Sequence, residues 1–558
     1  MDLNFLPGLK QLLSYQKQWL RGDIVAGLTV AAYLIPQCMA YGELAGVTPV
    51  AGLWAILPPI IVYALFGSSP QLSIGPESTT AVMTAAAIAP LAATQSEIYP
   101  ILASLLAFLV GIVCILGYFA RLGFLANLLS KPILIGYMAG IALIMIGGQL
   151  GKVGGIKIEA DAFFGQVGEF LTKLDLIHLP TAILAILVLI FLFGTRLRFP
   201  TLPAPLLAVL LATISVAAFN LEERGLAIVG EIPAGLPQFT IPQVSVTELV
   251  PLIASAFGIA IVGYSDNVLT ARAFATRNHY KIDPDRELLA LGLANISNGL
   301  MQGFPISSSG SRGVIGDSVG SKSQLFSLVA LIVVILVLLF LRPLLALFPK
   351  AALGAIVIYA ATRLIDIPEF IRLYQFRRSE FLLAVATTIS VLMTDILVGV
   401  GVAVGLSVIE LFSRVARPHD AVLGTVPGLA GLHDIQDWKG ATTIPGLIIY
   451  RYDAPLCFAN AENFKQRSLQ AIEAEIHPVE WFVLNMEANV AIDITAIDML
   501  SELRAELAAR KITFAMARVK QDLYLELERA GFLKGVKAEH IYPTLPTAIA
   551  GFSLRDRA

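Results

Sequence analysis

Two polar stretches broken by glycine and proline interrupt an otherwise apolar chain. One reads Gly303-Phe304-Pro305-Ile306-Ser307-Ser308-Ser309-Gly310-Ser311-Arg312-Gly313, the other Pro70-Gln71-Leu72-Ser73-Ile74-Gly75-Pro76-Glu77-Ser78-Thr79-Thr80. Each lies between long apolar segments, at a depth where irregular backbone survives only if protein buries it or if it lines a watery cavity. A helix restarting at Ser309 to Ser311 would aim its free N–H groups and positive dipole end into such a cavity. Serine hydroxyls and the charge of Arg312 surround that point, and the chemistry this set can do is to bind an anion. Short interrupted segments in corresponding halves of a chain point to a transporter binding site. The plainer alternative is a pair of polar kinks that only pack helices. A full charge on Arg312 argues against it, because an ionisable residue at that depth marks function.

Three further groups carry possible chemistry. Gln37 and Tyr41, in Leu34-Ile35-Pro36-Gln37-Cys38-Met39-Ala40-Tyr41, are four apart and share a helix face beside the loosening Pro36. They face either the ligand cavity or a neighbouring helix through hydrogen bonds. Asp266 and Thr270 have the same spacing in Gly263-Tyr264-Ser265-Asp266-Asn267-Val268-Leu269-Thr270. A carboxylate and a hydroxyl on one face can hold Na⁺, which prefers oxygen ligands. Asp266 can instead carry a proton, or pair with Arg312 and only fix the fold. Glu77 follows Gly75-Pro76 at the start of the first half-helix, where proline is favoured and an acid is stabilised; it either carries a proton with the substrate or caps its own helix. Other chemistries find no support. The three cysteines (Cys38, Cys114, Cys457) lie far apart, the six histidines lack metal-ligand spacing, and there is no nucleophile–base pair. Neither an enzyme nor a metal site is indicated, and the only small cofactor expected is a coupling H⁺ or Na⁺.

The elements that must position these residues follow from composition. The chain has 558 residues, 56% of them hydrophobic and 14% charged, and its mean hydropathy is +0.77. That excludes an ordinary soluble protein and implies a polytopic α-helical membrane protein. A net charge of −2 gives no case for nucleic acid. Residues 1–21 read as a cytoplasmic or interfacial segment, a surface helix or a solvated tail, without a cleavable signal. Apolar segments follow at 24–46, 51–66, 72–90, 100–119, 132–150, 180–194 and 203–219, then at 249–269, 287–303, 307–318, 324–341, 350–362, 379–394 and 396–413. These fourteen segments form two sets of seven, and each broken stretch opens the third of its set. An odd number per set inverts the second half relative to the first, so two half-helices should meet near the bilayer midplane from opposite sides. Basic residues (Arg121 and Lys131; Arg196 and Arg198; Arg272, Arg277, Lys281 and Arg286; Arg363, Arg372, Arg377 and Arg378) fall in alternate loops. Those loops should be cytoplasmic, with both termini inside. The transmembrane transport domain is thus expected at 22–414, a linker at 415–439 and a cytoplasmic α/β domain at 440–558. In the last, 447–452, 481–485 and 513–517 read as strands, and 461–474, 497–508 and 522–530 as helices.

The chain resembles the SulP (sulfate permease) family of anion transporters. The motifs that carry the resemblance are Ile35-Pro36-Gln37-Cys38-Met39-Ala40-Tyr41, Leu72-Ser73-Ile74-Gly75-Pro76-Glu77, Pro132-Ile133-Leu134-Ile135-Gly136-Tyr137 with Gln149-Leu150, and Phe304-Pro305-Ile306-Ser307-Ser308-Ser309-Gly310-Ser311-Arg312. The C-terminal part is similar to a STAS domain through Tyr452-Asp453-Ala454-Pro455-Leu456-Cys457-Phe458-Ala459-Asn460-Ala461. The resemblance implies a 7+7 inverted repeat of fourteen transmembrane segments, divided into a core and a gate that move past one another like an elevator. It places Gln37, Tyr41, Glu77, Ser78, Ser309, Gly310, Ser311 and Arg312 at the substrate, and Asp266, Thr270 and Glu77 at the coupling ion. Many relatives carry an apolar or aromatic residue where this chain has Glu77 and Ser78, a departure that favours proton-linked uptake over simple chloride exchange. Asp266 and Thr270 match a Na⁺-binding pair of the bicarbonate-transporting branch, but Gly310 stands where that branch offers a hydroxyl. Thr495 matches a position phosphorylated in related domains, and an ordinary helix cap is the alternative there. The expected function is secondary active import of a small inorganic oxyanion across a plasma (inner) membrane, with sulfate first and H⁺ symport as the coupling. A Na⁺-coupled bicarbonate importer and a dicarboxylate or anion exchanger are the alternatives; a nucleobase permease and a channel or voltage-driven motor are more distant ones. Expected partners are the anion, membrane lipid, a second copy in a homodimer and a cytoplasmic regulator at the STAS domain.

Overall fold

The computed structural model describes residues 6–92, 96–123, 130–160, 162–199, 202–233, 235–242, 246–394 and 396–554. It divides into two compact units, residues 1–407 and 408–558. Helices occupy every apolar stretch expected from the sequence, the last of them, Ile396–Ala416, running across the boundary between the units. Seven helical stretches among the described residues are long and apolar enough to cross a membrane: Lys17–Leu44, Pro49–Phe66, Tyr99–Phe119, Lys131–Gly154, Leu179–Arg198, Leu249–Asn278 and Lys350–Phe376. Ser78–Ala92, Ala204–Ala218 and Leu325–Phe340 are apolar but shorter. The N-terminal segment is tied down rather than loose. Its helix Pro7–Leu13 packs on Leu57–Phe66, with Gly8 buried, and the Tyr15 hydroxyl donates to Asp23 at 3.0 Å.

Small residues bring these helices together. A Cβ on Gly111 of Tyr99–Phe119 would meet the Gly292 carbonyl at 2.6 Å, and one on Gly299 the Ser104 carbonyl at 2.5 Å. The helix Pro284–Leu300 therefore approaches its neighbour almost backbone to backbone, the kind of dispersion-driven contact that holds helices without a hydrophobic driving force. One packed group contains Leu20–Leu44, Leu57–Phe66, Tyr99–Phe119, Val246–Asn278, Pro284–Leu300 and Leu325–Phe340; another contains Lys131–Gly154, Leu179–Arg198, Lys350–Thr362 and Arg378–Met393. The two groups meet where Leu20–Leu44 touches Lys350–Thr362, and a Lys152–Glu43 ion pair at 3.4 Å also joins them.

Among the described residues of the first group two carboxylates, Glu287 and Asp23, are fully buried, and each is saturated with donors, as burial of a charge requires. Glu287 accepts from the Tyr63 hydroxyl (2.9 Å), the Ser68 amide and hydroxyl (2.9 and 2.7 Å) and Asn267 Nδ2 (2.8 Å). Asp23 accepts from the Lys322 amide and the Ser323 hydroxyl, both at 2.7 Å. These groups fix helix ends and the turns between them.

The broken stretches form the smallest sheet in the molecule. β1 (Ile74–Gly75) pairs antiparallel with β2 (Ser307–Ser308), Ile74 opposite Ser308 and Gly75 opposite Ser307. The Ser309 amide continues the ladder to the Ser73 carbonyl at 2.8 Å. Each short strand leads directly into a half-helix, Ser78–Ala92 and Gly310–Val319.

The second unit is an α/β domain around a six-stranded sheet of β3 (Asp420–Gly424), β4 (His433–Asp434), β5 (Leu447–Tyr452), β6 (Trp481–Asn485), β7 (Thr513–Ala517) and β8 (Ile541–Tyr542), in the order β4-β3-β5-β6-β7-β8, with β5 to β8 parallel. The three strands expected from the sequence are the three central ones, and their continuous apolar character is that of strands buried on both faces. Helices Ala461–Glu473, Ile494–Ala509 and Gln521–Arg529 cover one face, and Leu545–Leu554 the other. The segment expected as a linker, 415–439, instead holds β3 (Asp420–Gly424) and β4 (His433–Asp434), with β3 antiparallel to β5. Its apolar run is only Ala421-Val422-Leu423, too short to announce a strand. What fixes it is Asp420, which accepts from the Tyr450 hydroxyl at 2.8 Å and Arg467 Nε at 3.0 Å. Within the motif 452–461, Asn460 ties the turn by donating to the Pro455 carbonyl and accepting from the Cys457 amide, both at 2.9 Å. Thr495 lies exposed in the first turn of Ile494–Ala509, whose cap is Asp493, accepting from the Ala496 amide at 2.9 Å.

Candidate anion-binding site

A cavity of about 310 Å³ opens where the two half-helices begin. Its polar wall comes from Gln37 and Tyr41 of the proline-containing helix Leu20–Leu44, Glu77 and Ser78 of the first half-helix, Asp266, and Ser308 to Ser311 at the second. The facing wall is mostly apolar: Pro205, Ile356, Tyr359, Ala360 and Leu364, with Arg363 at its end. The structure therefore gathers Gln37, Tyr41, Glu77, Ser78, Asp266, Ser309, Gly310 and Ser311 around one space.

The loops that bring the half-helices here are clamped by buried amides. Asn295 donates to the Ile306 carbonyl at 3.1 Å and accepts from the Ile306 amide at 2.9 Å. Asn298 Nδ2 donates to the Phe304 carbonyl at 2.6 Å. On the other loop, Gln324 Nε2 donates to the carbonyls of Ser69 and Leu72 at 2.8 and 2.9 Å. Every clamp replaces ladder bonds that proline and glycine removed, which is what irregular backbone in an apolar setting demands.

The two half-helix ends differ. At the first, the Glu77 carboxylate accepts from the Thr79 amide at 2.7 Å and from the Ser78 hydroxyl at 2.5 Å, so it caps its own helix. At the second, no side chain caps Gly310–Val319; its first intrahelical bond is Gly313 N–H to the Ser309 carbonyl. The N–H groups of Gly310, Ser311 and Arg312 precede that bond and lie at the positive end of the helix dipole. The Ser309 and Ser311 hydroxyls are 3.2 Å apart beside them.

Asp266 accepts from the Ser308 hydroxyl at 3.4 Å and is close enough to Glu77 for their charges to interact. Thr270 lies one helical turn on, next to Gly310, where an added Cβ would sit 3.7 Å from its hydroxyl. It stands behind Gly310 and outside the cavity lining. Gln37 Oε1 is buried without a hydrogen-bond partner.

Arg312 is fully buried behind the cavity wall. Its Nη1 donates to the Pro76 carbonyl at 2.8 Å and its Nε to the Ser73 hydroxyl at 3.3 Å, while Nη2 has no partner. The guanidinium is thus a strut between the second half-helix and the loop that opens the first. It does not pair with Asp266; the ion pair considered from the sequence is replaced by contacts to a carbonyl and a hydroxyl.

The cavity lining also includes residues that the sequence does not single out as a site. Tyr33 is four residues before Gln37 and extends the same stripe through Tyr41. On the opposite wall Ile356, Tyr359, Ala360, Arg363 and Leu364 follow i, i+3, i+4, i+7, i+8 spacing along Lys350–Thr362 and its end. The Tyr359 ring is fixed edge-on against Phe193 at 5.2 Å.

The sulfate permease family pattern matches residues 20–387, and the STAS domain pattern matches residues 440–548. A protein named probable sulfate transporter from Mycobacterium tuberculosis is 55% identical over 549 residues, covering 98% of both chains. Sulfate transporter 4.1, chloroplastic, from Arabidopsis thaliana is 32% identical over 97% of this chain and 82% of its own length. Among solved structures, the murine Solute Carrier 26 family member A9 anion transporter in the inward-facing state superposes with a TM-score of 0.90 at 23% identity, over 99% of this chain and 94% of that one. The transmembrane domain of a cyanobacterial bicarbonate transporter, BicA, gives a TM-score of 0.62 at 24% identity, over 71% of this chain and 98% of its own. At those identities the solved structures speak for the fold.

Proposed function

Because the chain belongs to the sulfate permease family, we propose that it imports a small inorganic oxyanion, sulfate first, by secondary active transport coupled to H⁺. The observation that carries this reading is the uncapped N-terminus of Gly310–Val319 opening onto a cavity that also holds Glu77 and Asp266. Backbone N–H groups at 310 and 311, with the hydroxyls of Ser309 and Ser311, supply donors to an oxyanion; Gln37 and Tyr41 bound it laterally, and Ser78 adjoins it with its own hydroxyl proton given to Glu77. Arg312 adds positive charge from behind.

An anion in this space faces two carboxyl groups. Like charges at short range in a weakly polar cavity repel strongly, so binding calls for a cation that neutralises a carboxyl group, and the two steps become coupled. A proton needs no ligand shell. Na⁺ needs several oxygens, and Gly310 adds no hydroxyl to those of Ser308 and Thr270 around Asp266. That difference favours H⁺ over Na⁺, and the sulfate assignment follows the names of the relatives.

In this reading the helices form a 7+7 inverted repeat of fourteen spans. The group carrying both half-helices is the core, and the group carrying Tyr359 is the gate against which it slides. Basic loops and both termini face the cytoplasm, the chain sits in the plasma membrane, and two copies form a homodimer with the STAS domain as a regulatory platform. The test is uptake of labelled sulfate into proteoliposomes under separate inward H⁺ and Na⁺ gradients, challenged with unlabelled bicarbonate and dicarboxylate. H⁺-driven sulfate uptake that bicarbonate fails to suppress supports the reading. Na⁺-driven bicarbonate uptake would replace it with the runner-up, a bicarbonate importer built on Asp266 and Thr270.

A further inference from the structure

The charged side chains that line the cavity are Glu77, Asp266 and Arg363. Arg312 spends its guanidinium behind the wall, on Pro76 and Ser73. Arg363 is exposed, at the end of the helix Lys350–Thr362, on the wall opposite the half-helix tips. Other basic residues of this unit are paired with carboxylates: Lys131 and Arg372 with Glu369, and Arg277 with Asp317. Among the described residues Arg363 has no such carboxylate partner. Tyr33 lies within electrostatic reach of both Arg363 and Arg196, and Tyr33 and Tyr359 line the cavity beside Arg363.

We propose that Arg363 is a second anion-binding residue, which contacts the oxyanion from the side facing the half-helices and sets the preference for a doubly charged substrate. The proposal rests on the transport reading above. Its physical basis is charge and shape. Two carboxyl groups face the anion on one wall, and without Arg363 the lining offers a dianion no cation to offset them. A guanidinium presents paired N–H donors that match two oxygens of a tetrahedral oxyanion, and its attraction to a double charge is twice that to a single one. Because Arg363 ends a helix of the second packed group, while the half-helices pack on Leu20–Leu44 and Val246–Asn278 of the first, an anion held by both bridges the groups. Motion of one group past the other would then hand the anion from two contacts to one. The simpler role for an arginine at this position is to complement a helix C-terminus, and that role predicts no effect on anion selectivity.

The experiment uses the full-length chain purified in detergent, with labelled sulfate as the probe, chloride as the competitor, and the variants Arg363→Gln and Arg363→Lys. The expected result is a loss of sulfate affinity of about tenfold in Arg363→Gln, against less than about threefold for chloride. Arg363→Lys should recover most of the sulfate affinity, since it keeps the charge. The fall in sulfate binding with added salt should be shallower in Arg363→Gln than in the wild type. Thermal unfolding of both variants, at an exposed position, should match the wild type. Wild-type sulfate affinity and salt dependence in Arg363→Gln would overturn the proposal and leave the transport reading intact. A wild-type chain that binds neither sulfate nor bicarbonate would overturn the transport reading and this proposal with it.

Discussion

Glu77 closes the first half-helix and also faces the space where an anion would sit, so in the proposed mechanism one carboxyl group would serve both stability and coupling. Glu77→Gln separates the two, because an amide oxygen can still accept from the Thr79 N–H but carries no charge. Sulfate uptake in proteoliposomes should lose its dependence on the H⁺ gradient while sulfate-for-sulfate exchange persists; undiminished gradient dependence would return Glu77 to capping alone. Arg312 calls for a different expectation. Its charge was legible in the sequence, but its direction was not, since a residue one turn into a helix can point at the ligand or at the neighbouring loop. It points at the loop, bonded to the Pro76 carbonyl and the Ser73 hydroxyl. Arg312→Ala leaves those acceptors unpaired in a buried site, at a cost of about 2 kcal/mol. Thermal unfolding in detergent should fall together with sulfate uptake. Loss of uptake with unchanged unfolding would make Arg312 a direct ligand after all.

At the scale of elements, two interrupted helices are aligned by four strand residues and a set of buried amides. The interruptions could be read from Pro70, Gly75, Pro76, Gly303 and Pro305, because these residues are clustered with polar neighbours, whereas single prolines such as Pro36 and Pro90 stay inside their helices. The pairing of Ile74 with Ser308 could not, because two residues per strand carry no alternation to read. Nor could the clamps: Asn295 and Asn298 look like ordinary polar residues of an apolar helix until the loop they hold is folded against them. The facing wall shows the same limit, since Arg363 read as a loop charge and only the packed helix shows it closing an apolar stripe. Asn295→Ala removes both bonds to Ile306 and should lower stability by about 1–3 kcal/mol. Sulfate uptake should fall with it, measured beside thermal unfolding, because the loop leading to Ser307 is no longer held. Uptake and unfolding at wild-type values would show that β1 and β2 align the half-helices unaided.

Over the whole molecule, composition and a few ordered motifs were enough for the membrane class, the family and the central strands of the C-terminal unit. They were not enough for its boundary, because β3 and β4 are too short for periodicity and β3 is secured by Asp420, Tyr450 and Arg467 across 47 residues of sequence. A soluble fragment spanning 418–554 should therefore unfold cooperatively. A fragment spanning 440–554 leaves an edge of β5 bare and should melt lower by roughly 5 °C or more, with a tendency to aggregate. Equal melting of the two, followed by circular dichroism, would show that β3 adds nothing. In the proposed mechanism of the transport unit an oxyanion enters the cavity together with a proton. The most direct measurement is the lumenal pH of proteoliposomes loaded with a pH-sensitive dye, when sulfate is added outside without any imposed gradient. Lumenal acidification should follow sulfate entry and be absent in Glu77→Gln. Sulfate entry with no proton movement, or entry that requires Na⁺, would contradict it.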